Sequence, residues 1–514
     1  MRLDQRLASV AEGHPDKLAL DIVGGEQLSF QELVSASDSV ARELIRSGVG
    51  SGDRVAIFSG HDHRAIILLW GILRAGAIVV WMNHDPRGSG LASALSNAKP
   101  RVIFVQGEPQ RRLAEAAVAT GASIRLLSEL DFSPGEEAGA ESAARDTPPL
   151  PSGLPETDPA AIVYTSGSSG EPKGVCLSHR NLTTVMDAVI GHMPISADDS
   201  YLMVVPLHYV HGLMQLFVHA LAGATIHYYD NFLFPRKVVD ALLRTRATGF
   251  SGVPFHFNAL IERGGLLEAE LPDLRWMTVT GGKLRGSTIL RILDRFPALD
   301  FHIAYGQTEC APRATALHPR RTRRKLDSVG SPIPGVQVEL VDEHGRSVAS
   351  GETGEVVVSG DNVMLGYWRD AAATAEVIDE QGRLRTGDIG RFDEEGDLFL
   401  LGRRSAMIKS AGERIIPGEI ERVLSRHGAI ADAVVVGVED SALGQRVVAH
   451  VELLEKTDED AADEASLLRA LRAHALERLP PSRAPREYHL WSAFPRKANG
   501  KADRQAIACG VSDE

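Results

Sequence analysis

Over the first 300 residues, short apolar runs alternate with longer stretches of helical periodicity, and this alternation restricts the possible folds more than any other feature. Runs at 54–60, 77–82, 101–106, 161–167, 201–207, 276–282 and 301–306 read as buried strands; 30–47 and 65–75 read as helices between them. Strands of a parallel sheet are covered on both faces, so they are continuously apolar, whereas the connecting helices repeat every 3.6 residues. The pattern predicts α/β layers with largely parallel sheets. From about 325 to 402 the texture changes to short strands with turns, as in GVQVELVDEHGR and GDLFLLGR, which predicts an antiparallel β region. After about 405 a compact α+β pattern follows, with helices over 417–427 and 465–478 and strands over 433–438 and 447–453. The predicted organisation is a large domain, 1–402, followed by a small one, 403–514.

Charge and cysteine usage narrow the function. The 55 Lys and Arg against 68 Asp and Glu leave a formal charge of −13, which disfavours gripping nucleic acid or an anionic membrane through the overall field. An anionic ligand therefore needs a local site. The basic run RRTRRK (320–325) reads as a solvated loop against that background. Three widely spaced cysteines, Cys176, Cys310 and Cys509, form no CxxC pair, which argues against a disulfide framework or zinc site and suits a cytoplasmic, reducing setting. The N-terminal stretch has Asp4 and Glu12 and no apolar core, so it is not expected to be a signal peptide. AIILLWGILRAGAIVVWM (65–82) reaches spanning length, yet Arg74 sits near its middle and Ile78-Val79-Val80 follows Gly76. It reads as helix, turn and buried strand, with no membrane insertion. Residues 133–160, rich in Pro, Gly, Ser and acid, and the acidic stretch 455–466 read as loops.

The most informative segment for chemistry is YTSGSSGEPKG (164–174), in which a buried strand runs directly into a small-residue loop. Ser166, Gly167, Ser168, Ser169 and Gly170 can turn backbone N–H groups inward around phosphate oxygens, and Lys173 supplies positive charge. The spacing is not GxxxxGK[ST], which disfavours a Walker loop. Taken alone, a Gly/Ser loop is also compatible with a linker.

TSGSSGEPKGV resembles the phosphate-loop signature of the adenylate-forming superfamily, which includes acyl- and aryl-CoA synthetases, peptide-synthetase adenylation domains and luciferases. Further matches follow in the family's order. YGQTE (305–309) is similar to its adenine and magnesium motif and LRTGDIGRFDEEGDLFLLGR (384–403) to its ribose motif. IKSAGERIIPGEIE (408–421) resembles the start of its C-terminal domain, and PRKANGK (495–501) its terminal lysine motif. GVGSGDRVAIF (48–58) and NVMLGYWRD (362–370) agree as well. The implied fold is α/β: layered α/β subdomains and a small β-barrel-like region, then a small mobile α+β C-terminal domain.

The resemblance implies ATP and Mg²⁺ as cofactors, a small carboxylic acid as substrate, and CoA or a carrier-protein phosphopantetheine as acceptor. The implied activity is acyl-adenylate formation followed by acyl transfer to the thiol. A ligase that passes the adenylate to an amine, one that adenylates an unusual acid, and a non-catalytic nucleotide-binding regulator are the alternatives. By resemblance Thr165, the loop residues Ser166, Gly167, Ser168, Ser169 and Gly170, and Lys173 hold phosphates, Tyr305 offers a flat face for adenine, and Gly282 and Gly306 belong to the ATP/AMP site. Thr308 reaches the α-phosphate, and Glu309 with Thr165 ligates magnesium, for which a carboxylate is a suitable hard donor. Asp388 binds the ribose hydroxyls, Arg403 and Lys409 lie near the nucleotide, and Lys501 enters to neutralise charge as the acid attacks. Lys501 follows Asn499-Gly500, a tight-turn pair that would project it from the surface.

Several positions depart from the family pattern. Ser405 replaces the Asp or Lys usual at the hinge, and Ala411 stands where several CoA ligases place a lysine against CoA. PLHYVHGL (206–213) corresponds to the start of the acid pocket, and aligning Tyr209 with the family's aromatic puts Val210 where amino-acid-activating members have Asp. A substrate ammonium there would be buried without a counter-charge, which disfavours an ordinary α-amino acid. His208, His211 and Gly212 complete this segment. Lys283 stands where a small residue is usual; it reads either as a lysine at the cleft rim or, with the histidines, as a partner for a polar or anionic group on the acid.

Overall fold

The computed structural model describes residues 1–60, 62–83, 90–109, 111–132, 148–166, 171–193, 195–229, 232–440, 443–454, 464–496 and 502–509. The chain forms two compact units, Met1–Val338 with Val358–Arg385, and Glu339–Val357 with Thr386–Glu514. The sequence reading instead divides the chain once, at 402–403.

The first unit holds two large sheets. One has seven strands in the order Gly366–Tyr367, Pro172–Ser178, Pro159–Ser166, Ile78–Trp81, Arg54–Phe58, Val102–Val105 and Ser123–Leu126. Its centre is parallel, with Arg54 opposite Ile78 and Val79 opposite Ala161. At one side Pro159–Ser166 turns back antiparallel into Pro172–Ser178, which places Thr165 opposite Lys173. The other sheet has nine strands, ordered Ser331–Pro332, Thr315–Leu317, Asp300–Tyr305, Trp276–Val279, Gly249–Gly252, Ser200–Met203, Thr225–Tyr228, Leu18–Ile22 and Gln27–Ser29. Each apolar run anticipated as a strand coincides with one, ending one to four residues earlier than the run; three of the strands start one or two residues before it, at Pro159, Ser200 and Asp300.

Residues 65–82 illustrate why apolar length alone is ambiguous. Helix His63–Arg74 ends at Arg74, which pairs with Asp38 of helix Phe30–Arg46, and strand Ile78–Trp81 follows. That partner helix begins with a reciprocal cap in which the Glu32 N–H donates to Ser29 Oγ at 3.2 Å and the Ser29 N–H to Glu32 at 2.7 Å. The two helices approach so closely that a Cβ on Gly71 would lie 2.7 Å from Val40 Cγ1. Among the described residues, no helix is long and apolar enough to cross a membrane.

The second unit contains most of a four-stranded sheet, Val336–Val341, Thr353–Gly360, Leu384–Phe392 and Leu398–Arg403 in that order. It also contains the sheet of Glu413–Ile415, Ile408–Ser410, Gly444–Leu453 and Ile430–Asp440, with Glu487–Trp491 pairing to Gly444–Leu453. Helices Pro417–Leu424 and Glu464–Leu476 bring Ile420, Leu424, Leu471 and Ala475 to the core with Val435, Val447, Ala449 and Val451.

The nine-stranded sheet is tied at one end by Asp199, whose side chain is fully buried. Its Oδ1 accepts from Thr248 Oγ1 and Arg275 Nη2, each at 2.5 Å, and its Oδ2 from the Ser196 N–H at 2.8 Å. These residues adjoin the starts of three neighbouring strands, so one carboxylate aligns them. Burial alone would raise the Asp199 carboxyl, but the donors Thr248, Ser196 and Arg275 outweigh it and hold it below the ordinary value. A depressed carboxyl stabilises the fold above the unfolded-state value of about 4 and loses that contribution as pH falls through the folded value. Asp199→Ala is expected to cost about 2–3 kcal/mol at neutral pH, read from the urea midpoint, and the gap from the parent should narrow below about pH 4.

Candidate functional site

In the first unit, the strand pair 159–166 and 172–178 delivers Thr165 and Lys173 to the mouth of the phosphate-loop segment, and the Thr165 hydroxyl faces the Lys173 carbonyl. Gly167, Ser168, Ser169 and Gly170 lie outside the described residues, and only the backbone of Ser166 is described, as the end of its strand. Strand Gly366–Tyr367 pairs with the same hairpin, Tyr367 opposite Val175 and Gly366 opposite Cys176. Val175 and Lys173 share a strand face, and the Lys173 ammonium stands 5.0 Å from the centre of the Tyr367 ring. The Tyr367 hydroxyl in turn donates to Glu309 Oε1 at 2.9 Å. The phosphate-loop lysine and the candidate magnesium carboxylate therefore meet on one tyrosine.

Glu309 sits in a single 3₁₀ turn, Thr308–Cys310, after strand Asp300–Tyr305. Ala311 takes a left-handed conformation, φ 48°, and the chain doubles back into Thr315–Leu317, with Tyr305 opposite Thr315. Gly306 permits this return: a Cβ there would lie 2.4 Å from the Pro312 carbonyl and 2.6 Å from the Arg313 nitrogen. The Met364 N–H donates to the Glu309 carbonyl at 2.9 Å, and the Asn362 amide to the Cys310 and Arg313 carbonyls at 3.3 and 3.2 Å. Thr308 and Glu309 are half-buried, whereas Tyr305, expected as a flat face for adenine, is 8% exposed. Gly282 is exposed, and a Cβ on it would approach Pro254 at 3.2 Å. Among the described residues no three His, Cys, Asp or Glu side chains form a metal cluster. Glu309 is compatible with an ion carried mainly by phosphate oxygens, since one carboxylate suffices for that.

The segment assigned to the acid pocket starts helix Val210–Leu221, with exposed Tyr209 at its N-cap. Gly212 is obligatory, because a Cβ would fall 2.3 Å from the Pro206 carbonyl oxygen. Val210 is half-buried, and the His208 and Tyr209 rings lie 4.1 Å apart. His211 Nε2 is 2.9 Å from Ser251 Oγ, and burial, aided by the charge of Arg313, pushes the imidazole down to about 3, so it is neutral at physiological pH. Lys283 is half-exposed and salt-bridged to Asp327 at 2.7 Å, as a rim lysine would be. Cys176 is buried, and burial pushes its thiol up to about 12, which leaves no thiolate for nucleophilic chemistry.

In the second unit, Asp388 is 7% exposed and Arg403 pairs with it across neighbouring strands, Nε to Oδ1 at 2.7 Å. Thr386 and Gly387 lie within strand Leu384–Phe392, where Gly387 kinks the backbone at φ 72°. Arg403 Nη1 also donates to the Thr386 carbonyl at 3.1 Å. One Asp388 oxygen is thus already engaged by the arginine assigned to the same nucleotide. Ser405 lies in the exposed turn Arg404–Ala406, and Arg404 pairs with buried Glu355 at 3.1 Å. Lys409 is exposed on strand Ile408–Ser410; Ala411 and Gly412, both with positive φ, make the two-residue turn that follows. Lys501 lies outside the described residues.

Residues 7–368 match the family model for AMP-binding enzymes, and 419–501 match the model for the C-terminal domain of these enzymes. The chain belongs to the AMP-binding enzyme family. This AMP-binding enzyme is 33% identical over 485 residues to an indoleacetate–CoA ligase of Aromatoleum aromaticum, covering 93% of this chain and 92% of that one. Its fold superposes on ATP-bound MatB from Rhodopseudomonas palustris with a TM-score of 0.85 at 25% identity, covering 100% and 99% of the two chains. It superposes on o-succinylbenzoate CoA synthetase from Bacillus subtilis, in complex with its acyl-adenylate, with a TM-score of 0.82 at 25% identity over 98% and 97%.

Tyr367, Asn362 and Arg313 were given no role from the sequence of this AMP-binding enzyme. The first two sit in NVMLGYWRD, whose match to the family was the available signal. Tyr367→Phe removes a charge-assisted hydrogen bond and keeps the ring beneath Lys173. We expect kcat/KM for ATP to fall about tenfold, with a further loss in Tyr367→Leu, and melting temperature to change little in the phenylalanine variant.

Proposed function

We infer that the enzyme activates a carboxylic acid with ATP and then transfers the acyl group to a thiol, that of CoA or of a carrier-protein phosphopantetheine. A carboxylate oxygen attacks the α-phosphorus, and the bond from that phosphorus to the bridging oxygen breaks, giving acyl-adenylate and pyrophosphate. The thiol sulfur then attacks the acyl carbon, its proton is lost, and AMP departs. The observation that carries this reading is the meeting of Lys173 and Glu309 on Tyr367, in a chain whose family binds AMP.

Attacker, target and leaving group are all anionic, so fixed cations aimed at the phosphates are the main requirement. Lys173 supplies one from the hairpin, and Lys501 supplies another from the C-terminal domain, 403–514, which turns about the segment at Ser405. Thr308 bonds the α-phosphate. Asp388 accepts ribose hydroxyls, while Arg403 and Lys409 flank the nucleotide. Glu309 and Thr165 would hold Mg²⁺, which would supply neutralising positive charge beside the phosphates. His208, Tyr209, His211 and Gly212 border the acid, and Val210 excludes an α-ammonium by offering it no counter-charge. The three well-separated cysteines fit work in a reducing cytoplasm.

Exchange of labelled pyrophosphate into ATP across a panel of acids tests the reading. At least one non-amino acid is expected to support exchange, and standard α-amino acids are expected to be poor. Silence with every acid would overturn the proposal. Lys501→Ala should slow adenylate formation in a single turnover by a factor on the order of 100 or more while ATP still binds. Thiolation of supplied acyl-adenylate should change much less, and an adenylation rate close to the parent's would remove Lys501 from its assigned role.

A further inference from the structure

Beside His211 of the acid-pocket segment gather basic side chains to which the reaction above gives no role: Arg313 and His302, both buried, His192, half-buried, and His318, exposed. Ser251, Thr278 and His302 stand side by side on three adjacent parallel strands and point to one face of the nine-stranded sheet. His211 reaches that face through Ser251. His192, the last residue of helix His179–His192, sets its ring edge to face with His302 at 5.6 Å, and His318 lies 6.1 Å beyond. Arg313 completes the group. It lies four residues beyond Glu309, and its backbone nitrogen is one of the atoms that a Cβ on Gly306 would strike.

Among the described residues this group has no anion. Arg313 is 6% exposed, and no hydrogen bond or ion pair to its guanidinium exists among the described residues. Burial pushes it down to about 10, and no carboxylate opposes that shift. After burial, its positive charge is a further cause depressing His192, His211 and His302, which places all three within its reach. Ring nitrogens of the same histidines are buried and unpartnered: His192 Nε2, His211 Nδ1 and both nitrogens of His302. A buried arginine is normally paired with a carboxylate, and buried imidazoles normally hydrogen-bond, so an oxyanion would satisfy the whole set. Arg313 and Glu309 leave the same tight turn, which keeps this cationic group close to the reacting end without using it for phosphate.

We propose that Arg313, with His192, His211 and His302 around it, binds a second anionic group of the substrate, so that the activated acid is a dicarboxylate or a comparable acid with a distal oxyanion. This rests on the acid-activation reading above and names the substrate class within it. The carboxylate that reacts is the one at the nucleotide; the distal oxyanion takes donors from the guanidinium and the imidazole N–H groups and remains unchanged.

Pyrophosphate exchange with matched pairs, each dicarboxylic acid against its monomethyl ester over a range of lengths and aromatic cores, tests the assignment. The parent should favour at least one diacid about 100-fold in kcat/KM over its ester. Arg313→Met, which keeps an apolar stem of similar length, should lower the diacid value about 100-fold, chiefly through KM, while ester activity and the KM for ATP stay near the parent values. Should that variant fold poorly, the parent alone still decides: its melting temperature should rise with the preferred diacid and not with the ester. Exchange with monocarboxylates and no diacid preference would overturn this inference and leave acid activation standing. Equal loss on both members of a pair, or a raised KM for ATP, would make Arg313 a structural or nucleotide-binding residue and overturn it likewise. No exchange with any acid would overturn the acid-activation reading and this inference with it.

Discussion

The close approach of Gly306 to the Pro312–Arg313 backbone is the constraint on which the first unit's site depends. A methyl group at 306 would sit 2.4 Å from a main-chain carbonyl, and neither chain segment can yield without breaking the pairing of Tyr305 with Thr315. Because the turn is this tight, Thr308 and Glu309 leave it next to the hairpin that ends in the phosphate loop. Arg313 leaves it four residues later and is buried instead. One backbone reversal therefore presents an acid and a base separately, where a looser loop would let them neutralise each other.

Rigid strand pairing then transmits this placement. Val175 pairs with Tyr367, and the two-residue period of the strand brings Lys173 over the same ring that donates to Glu309. Each contact is modest on its own, since a cation over an aromatic ring or one hydrogen bond to a carboxylate contributes about 0.5–3 kcal/mol. Their value lies in preorganisation: the lysine and the carboxylate are oriented before any nucleotide arrives, so little ordering cost falls on binding. In the second unit the Asp388–Arg403 pair across adjacent strands has the same character. There the arginine pairs with one carboxylate oxygen, a restraint that residue type alone does not reveal.

The acid side obeys different electrostatics. His211 and His302 are driven neutral by burial, and Lys283 is already matched by Asp327. Arg313 is a buried charge to which no described residue is paired, and a charge without a partner is the costliest feature a small pocket can carry. That cost is what links the pocket to the chemistry of its substrate.

The sequence by itself determined the layered α/β organisation, because parallel strands must be apolar on both faces while their crossover helices need only one. It also determined the family, because a strand followed by TSGSSGEPKG, then YGQTE, then the ribose motif is an ordered set of local backbone requirements. Gly306 and Gly212 were legible in this way, as positions within such motifs. Tertiary structure alone decided which partners those motifs meet. The Arg74–Asp38 pair made core of an apolar stretch long enough to span a bilayer, and strand pairing across about 200 residues brought Tyr367 between Lys173 and Glu309. It also decided that Lys283 has a carboxylate neighbour and that Arg313, among the described residues, has none. The physical reason is that hydrogen bonding and backbone conformation are local and leave a pattern in the chain, whereas burial and charge pairing depend on segments distant in sequence.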